Sequence, residues 1–79
     1  MNSLPYKGYL IEAAPYQLAD SGEFTIHISI LHDTGGAINI RGFDAANSFK
    51  TEDEAIWHCL EFGRQIIDGK IENCTVTDL

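Results

Sequence analysis

Residues 51–60, with the sequence TEDEAIWHCL, contain a capping box that opens an amphipathic helix. The Thr51 hydroxyl can accept a hydrogen bond from the Glu54 amide, while the Glu54 carboxylate can accept one from the Thr51 amide. Gly69 suits the left-handed conformation that ends many helices. The helix between these points has one apolar face, which consists of Ala55, Ile56, Cys59, Leu60, Gly63, Ile66 and Ile67.

Gly63 lies near the middle of this apolar face. Glycine in a helix interior costs roughly 1 kcal/mol in helix propensity relative to alanine. A residue without a side chain also allows another part of the chain to approach the helix closely. We therefore expect the helix to lie unusually near the sheet at Gly63.

A β-hairpin precedes the helix. Residues 23–32 alternate apolar and polar side chains with a period of two, which is typical of a half-buried strand. Residues 33–36, Asp-Thr-Gly-Gly, supply a turn, and residues 37–43 then predict the returning strand. The inward row of the first of these strands is predicted to be Phe24, Ile26, Ile28 and Ile30.

Residues 6–14 predict one more strand upstream, and its register has two solutions. Tyr6 and Leu10 would form one apolar face, and the alternative face consists of Tyr9, Ile11 and Ala13. We choose the second set as the inward one because its apolar row is denser. Pro15 ends regular pairing there or places the strand at a sheet edge.

Together these elements predict an α+β fold in a single domain, residues 1–79. It is a three-stranded antiparallel β-meander followed by one C-terminal amphipathic α-helix packed on one face (β-β-β-α). Residues 71–79 are expected to form a short tail or a weak extra strand. One helix covers one face of such a sheet, so the outer face stays open unless the tail, a partner or a second copy covers it.

The composition excludes several classes of protein. Twelve acidic and five basic residues give a net charge of −7, which disfavours binding to nucleic acid. No apolar run is long enough to span a membrane, and residues 1–5 do not resemble a signal peptide, so we expect a cytoplasmic protein. Cys59 and Cys74 do not make a disulfide scaffold and have no neighbouring residues at metal-ligand spacing.

Motifs of known enzymes are also missing from the sequence. It contains no glycine-rich phosphate loop, no Gly-x-Ser-x-Gly and no His-Glu-x-x-His. His27, His32 and Asp33 are the nearest approach to an acid/base or metal cluster, but the two histidines point to opposite sides of an ideal strand. We therefore expect no enzymatic activity, no metal or other cofactor and no small-molecule substrate.

Three surfaces are candidates for binding another protein: the outer sheet face, a free strand edge, and the flank of the helix at Trp57. The outer sheet face is predicted to carry Leu10, Leu31 and Phe43, with His27 and Arg41 between them; the alternative is that the tail covers this face. Trp57 falls outside the apolar stripe of the helix and is a candidate because tryptophan is common at the centre of interfaces. The alternative for Trp57 is packing against the N-terminus or the tail.

Three segments of the chain carry a resemblance: Tyr6 to Tyr9, Phe49 to Ala55, and Gly63 to Gly69. Together they resemble small bacterial proteins without an assigned activity, found among proteobacteria and their prophages, with a three-stranded sheet and one helix. The resemblance implies no catalytic residues. The expected function is a non-enzymatic protein-interaction module, including a phage or prophage accessory or assembly protein. The alternative, motivated by the charge, is an acidic inhibitor or immunity-type protein that binds a basic partner.

Overall fold

The computed structural model describes residues 2–77 and 79; Met1 and Asp78 lie outside them. It has an α+β fold, in which one C-terminal helix packs against an antiparallel sheet of five strands. The elements in chain order are β1 (Ser3–Tyr6), β2 (Tyr9–Ala13), β3 (Tyr16–Gln17), β4 (Phe24–Asp33), β5 (Ile38–Phe49) and α1 (Glu52–Ile67).

Strand β4 is the centre of the sheet. One of its edges pairs with β5, and the other pairs first with β3 and then with β2. The break between β2 and β3 falls at Pro15, which has no amide hydrogen for the ladder, while the Ala14 amide still donates to the His27 carbonyl at 2.8 Å. Strand β1 pairs with β2 and forms the far side of the sheet.

The predicted three-stranded meander is wrong, because the sheet has five strands. The single strand predicted over residues 6–14 is instead a hairpin with Lys7 and Gly8 at its tip and Tyr6 paired with Tyr9. Both tip residues have positive φ angles, 50° and 86°, which are typical of a two-residue hairpin turn that matches the twist of the strands. A further short strand, Tyr16–Gln17, follows Pro15, where no strand was predicted.

Strand β5 is also longer than residues 37–43, the predicted range. It continues to Phe49 through an irregularity: Thr25 pairs with Ser48, but the next residue of β4 pairs with Ala45, leaving two extra residues on β5. The buried Thr25 hydroxyl lies 3.1 Å from the Ala45 carbonyl oxygen and 3.2 Å from that of Asn47 and can donate to either. This hydroxyl therefore supports the bulge, and residues 44–49, which lie beyond the predicted strand, are part of the sheet.

The helix begins and ends close to the predicted positions. Thr51 is its N-cap and accepts a hydrogen bond from the Glu54 amide at 3.2 Å. The Glu54 carboxylate lies 3.3 Å from the Thr51 hydroxyl, so the return contact goes to the side chain and not to the Thr51 amide. Gly69, with φ at 76°, follows the last turn.

Gly63 is buried against β2, as its place on the helix predicted. A β-carbon added there would lie 2.5 Å from Cγ2 of Ile11, whose side chain has no exposed surface. The helix can occupy this position only because residue 63 has no side chain. The inward row of β2 is confirmed with it, since Ile11 is in the core and Tyr9 and Ala13 pack against it.

The C-terminal tail, residues 71–77 and 79, lies on the same side of the sheet as the helix and contains no strand. Val76 is part of the core, and its carbonyl oxygen accepts a hydrogen bond from the Tyr9 hydroxyl at 3.3 Å. The Thr75 carbonyl accepts one from the Arg41 guanidinium at 3.0 Å. The core shared by sheet, helix and tail consists of Ile11, Ile26, Ile28, Ile30, Cys59, Ile66 and Val76.

Three side chains connect the β1–β2 hairpin to the end of the helix. The Asp68 carboxylate accepts hydrogen bonds from the Tyr6 hydroxyl, at 2.9 and 3.0 Å, and from the Lys7 ammonium at 2.6 Å. The Lys7 hydrogen bond, followed by that of Tyr6, lowers the pKa of Asp68 below its ordinary value of 3.8. The hydrogen bond to Asp68 in turn raises the pKa of Lys7.

The N-cap gives a first prediction. Thr51→Ala removes the acceptor of the Glu54 amide and should lower the free energy of unfolding by about 0.5–2 kcal/mol. Thr51→Asp keeps an acceptor at the same place and should retain most of the stability. Chemical denaturation of both variants measures the difference, and equal midpoints for Thr51→Ala and the native chain would show that the cap contributes nothing.

The Gly63 contact gives a second prediction. Gly63→Ala should destabilise the protein by about 1–3 kcal/mol, because overpacking against Ile11 outweighs the gain in helix propensity. In an Ile11→Ala background the clash is gone, and the same substitution should stabilise by up to about 1 kcal/mol. Denaturation of the four variants in a double-mutant cycle tests this change of sign. A stabilising effect in the native background would contradict the close approach.

The Asp68 cluster gives a prediction about acid stability. A carboxyl group whose pKa is lower in the folded state stabilises the fold above its unfolded pKa, and this contribution is lost as the pH falls through the folded value. Asp68→Asn should therefore reduce the difference in unfolding free energy between pH 7 and pH 3. Asp20→Asn, at an exposed turn position, is the control and should leave the difference nearly unchanged. Equal pH dependence in both variants would contradict the role of Asp68.

Candidate functional site: the outer face of the sheet

The face of the sheet opposite the helix carries a continuous apolar row. In antiparallel pairing, residues directly opposite each other have their side chains on the same face. Pro5 pairs with Leu10, Leu10 with Leu31, and Leu31 with Ile40, so the row crosses β1, β2, β4 and β5. Ile38 lies two residues before Ile40 and therefore has its side chain on the same face. We call these five residues the outer patch.

The outer patch is not covered by any part of the chain that the structure describes. The tail and the helix both pack on the other face, next to the buried isoleucines. Ile38 and Ile40 are 63% and 62% exposed, while Leu10 and Leu31 are half-buried. A shallow groove of about 340 Å³ runs along the patch between Pro5, Leu31 and Ile38. Contiguous exposed apolar surface of this kind often marks an interaction site.

The five residues predicted for the interface are not all on this face. Leu10 and Leu31 are cross-strand neighbours in the outer patch, as predicted. Phe43 and Arg41 are opposite Ile28 and Ile30, which places them on the helix side of the sheet. Phe43 packs against the core there, and the Arg41 guanidinium binds the tail. Their assignment to the outer face is therefore wrong.

The length of the β4–β5 loop explains this error. The loop has four residues, 34–37, between the paired Asp33 and Ile38, so odd-numbered residues of β4 are opposite even-numbered residues of β5. A loop one residue longer or shorter would have put Phe43 on the outer face, because a shift of one residue exchanges the two faces. Ile38 and Ile40 were therefore not predicted for the outer face. The period-two alternation of β5 does place them on the face opposite to Phe43.

Trp57 lies on the helix and is separate from the outer patch. It is 62% exposed, and its ring meets the ring of His58 edge-on, with the centroids 4.9 Å apart. His58 in turn stacks on Phe49 at 4.2 Å, with the ring planes 7° apart. The rings of Phe49 and His58 border a cleft of about 230 Å³ between the helix and β5, whose lining also includes Glu61 and Phe62. Trp57 does not line this cleft; with His58 it forms a separate aromatic surface on the helix.

The remainder of the outer face is polar and acidic. Asp33 is opposite Ile38, Glu12 is opposite Ser29, and Asp44 is opposite His27. The Nδ1 atom of His27 lies 2.5 Å from a carboxylate oxygen of Asp44. His32 is on the other face, beside the Tyr9 ring, so the prediction that the two histidines point to opposite sides is confirmed.

Two observations concern metal binding and thiol reactivity in the part of the chain that the structure describes. Among these residues, no group of three or more His, Cys, Asp or Glu side chains is placed to hold a metal ion. The Cys59 thiol is buried, and this burial raises its pKa. A raised pKa lowers the fraction of the reactive thiolate form. No helix in residues 2–77 and 79 is long and apolar enough to cross a membrane.

Comparison with known proteins does not assign the chain to a family. No protein-family model matches it, and no curated protein or solved structure was found to be similar. Any role of the outer face must therefore be inferred from its own residues. Those residues are an exposed apolar row on one half of the face and three carboxylates around it.

Proposed function

We propose that this protein is a non-enzymatic protein-binding module that acts in the cytoplasm and binds its partner through the outer patch. The observation that supports this most directly is the exposure of Ile38 and Ile40 beside Leu10 and Leu31 on the open face. Burying one such side chain stabilises by about 1.5–3 kcal/mol. Two exposed isoleucines in one row can therefore supply the few strong anchors that dominate most protein interfaces.

The free edge of β5 extends this surface. Strand β5 is 12 residues long, and within residues 2–77 and 79 it pairs on one side only, with β4. Long unpaired edges bind extended segments by adding a strand to the sheet. The other edge strand, β1, has four residues and contains Pro5, which limits pairing there. The edge beside Ile38 and Ile40 is therefore the better place for a partner strand.

A second candidate function uses the same surface. The three carboxylates around the outer patch support an inhibitor or immunity-type protein that binds a basic partner. The resemblance to small proteobacterial and prophage proteins adds the expectation of a phage or prophage accessory or assembly role. Each of these candidates requires the outer patch to bind a protein, so one experiment tests their common element.

The test compares Ile38→Ser/Ile40→Ser with Asn39→Ser. Asn39 lies between the two isoleucines and has its side chain on the other face, so it is a matched control on the same strand. A crosslinker attached at Gly42, which is opposite Ser29 on the outer face, would capture partners from lysate of the producing cells. Sedimentation would detect self-association. We expect the double variant to stay folded and to lose binding by more than about tenfold, which corresponds to 1.4 kcal/mol. The control should bind normally.

Two outcomes would contradict the proposal. Binding that is equal in the double variant and the native chain would show that the interface lies elsewhere, with Trp57 as the next candidate. Unfolding of the double variant, measured by circular dichroism, would show that the two isoleucines contribute to the stability of the fold and are not a free surface. Their exposure of more than 60% makes this second outcome unexpected.

A further inference from the structure

The charged side chains of the outer face are carboxylates, apart from His27, whose Nδ1 atom contacts Asp44. Asp33, Glu12 and Asp44 lie on this face by their strand register. Asp33 is opposite Ile38 and Asp44 lies four residues beyond Ile40, so a carboxylate stands at each end of residues 38–44 of β5. A ligand on the outer patch would meet negative potential along its whole length.

The five basic residues of the chain lie elsewhere. The Lys7 ammonium binds Asp68 at the end of the helix, and the Arg41 guanidinium binds the Thr75 carbonyl on the inner face. Arg64 is on the helix, 3.4 Å from a carboxylate oxygen of Glu61. The remaining two flank the helix: Lys50 and Lys70. Among the ion pairs seen in residues 2–77 and 79, none joins a lysine or arginine to Glu12, Asp33 or Asp44.

We propose, on the basis of the proposed function, that the occupant of the outer patch is a basic segment of another protein, bound in extended conformation along the free edge of β5. A strand added there would place every second side chain on the outer face, beside Ile38, Ile40 and Asp44 in turn. Apolar side chains would cover the two isoleucines, and lysine or arginine would meet the carboxylates. A second copy of this chain fits less well, because both copies carry a net charge of −7.

A random dodecapeptide display library, selected on the immobilised native chain, tests the partner chemistry directly. We expect the enriched peptides to combine lysine or arginine with β-branched or aromatic residues at alternate positions. Synthetic versions should bind at least about tenfold more weakly to Ile38→Ser/Ile40→Ser. Every second backbone amide of a bound strand pairs with β5, so the amides of the peptide form two alternating sets. Methylation of the nitrogens in the set that pairs with β5 should abolish binding.

Variants with neutralised carboxylates distinguish the effect of the outer-face carboxylates on binding from the effect of the net charge. Glu12→Gln/Asp33→Asn/Asp44→Asn and the control Asp20→Asn/Asp53→Asn/Glu72→Gln each neutralise three of the twelve acidic groups and change the net charge from −7 to −4. Exposed ion pairs contribute about 1.5- to 5-fold each in affinity. The first variant should therefore bind the selected peptide roughly tenfold more weakly, and the difference should shrink in high salt. The control should bind nearly as the native chain does.

The outcomes distinguish this inference from the proposed function. The selected peptides could be neutral or acidic and still fail to bind Ile38→Ser/Ile40→Ser. This result would support the outer patch as the binding face but would contradict the inference that its partner is basic. Basic peptides that bind this variant as well as the native chain would count against the face itself. Equal loss in the two charge variants would mean attraction by net charge alone. No enrichment over a surface without protein would overturn the inference, while lysate crosslinking still tests the proposed function.

Discussion

The contact between Gly63 and Ile11 determines how the helix lies on the sheet. A β-carbon at position 63 would overlap the Ile11 side chain, so the missing side chain allows the helix backbone to approach β2 directly. Ile11 is opposite Ile30 and has no exposed surface. The helix is therefore held over β2 and β4, and the core that it shares with the isoleucines of β4 follows from this position.

This position leaves part of the inner face to be covered by the tail. Val76 completes the core there, and hydrogen bonds from Tyr9 and Arg41 hold the neighbouring backbone. Helix and tail together thus cover one face, and the described chain has no further element for the other. Within the described chain nothing covers the exposed row that includes Ile38 and Ile40, so the free energy of burying it is not gained there. Binding to the proposed partner would bury these residues.

The helix and the central strand could be predicted from sequence because local patterns determine them. The Thr51 cap, the apolar helix face around Gly63 and the core isoleucines in the inward row of β4 each depend on neighbouring residues only. Phe24, the first residue of the predicted inward row, is not part of the core cluster. The β1–β2 hairpin was missed because its tip has lysine at positive φ, a position where glycine or asparagine is usual. Ile38 and Ile40 were missed for a different reason. Which side of β5 faces outward depends on the length of one loop, and the sequence pattern of β5 is compatible with either side.

The charge of the outer face is connected to the way in which the inner face is assembled. Lys7 lies at the tip of the first hairpin and Arg41 lies in β5, and both side chains make contacts away from the outer face, Lys7 with Asp68 and Arg41 with Thr75. These contacts attach the first hairpin to the helix and the tail to β5. Among the described residues, no lysine or arginine of β1, β2 or β5 has its side chain on the outer face with Asp33 and Glu12, since the register of β5 turns Arg41 inward. Two basic side chains thus help to close the core on one side, while the opposite side carries carboxylates, which is the property that would select a basic partner.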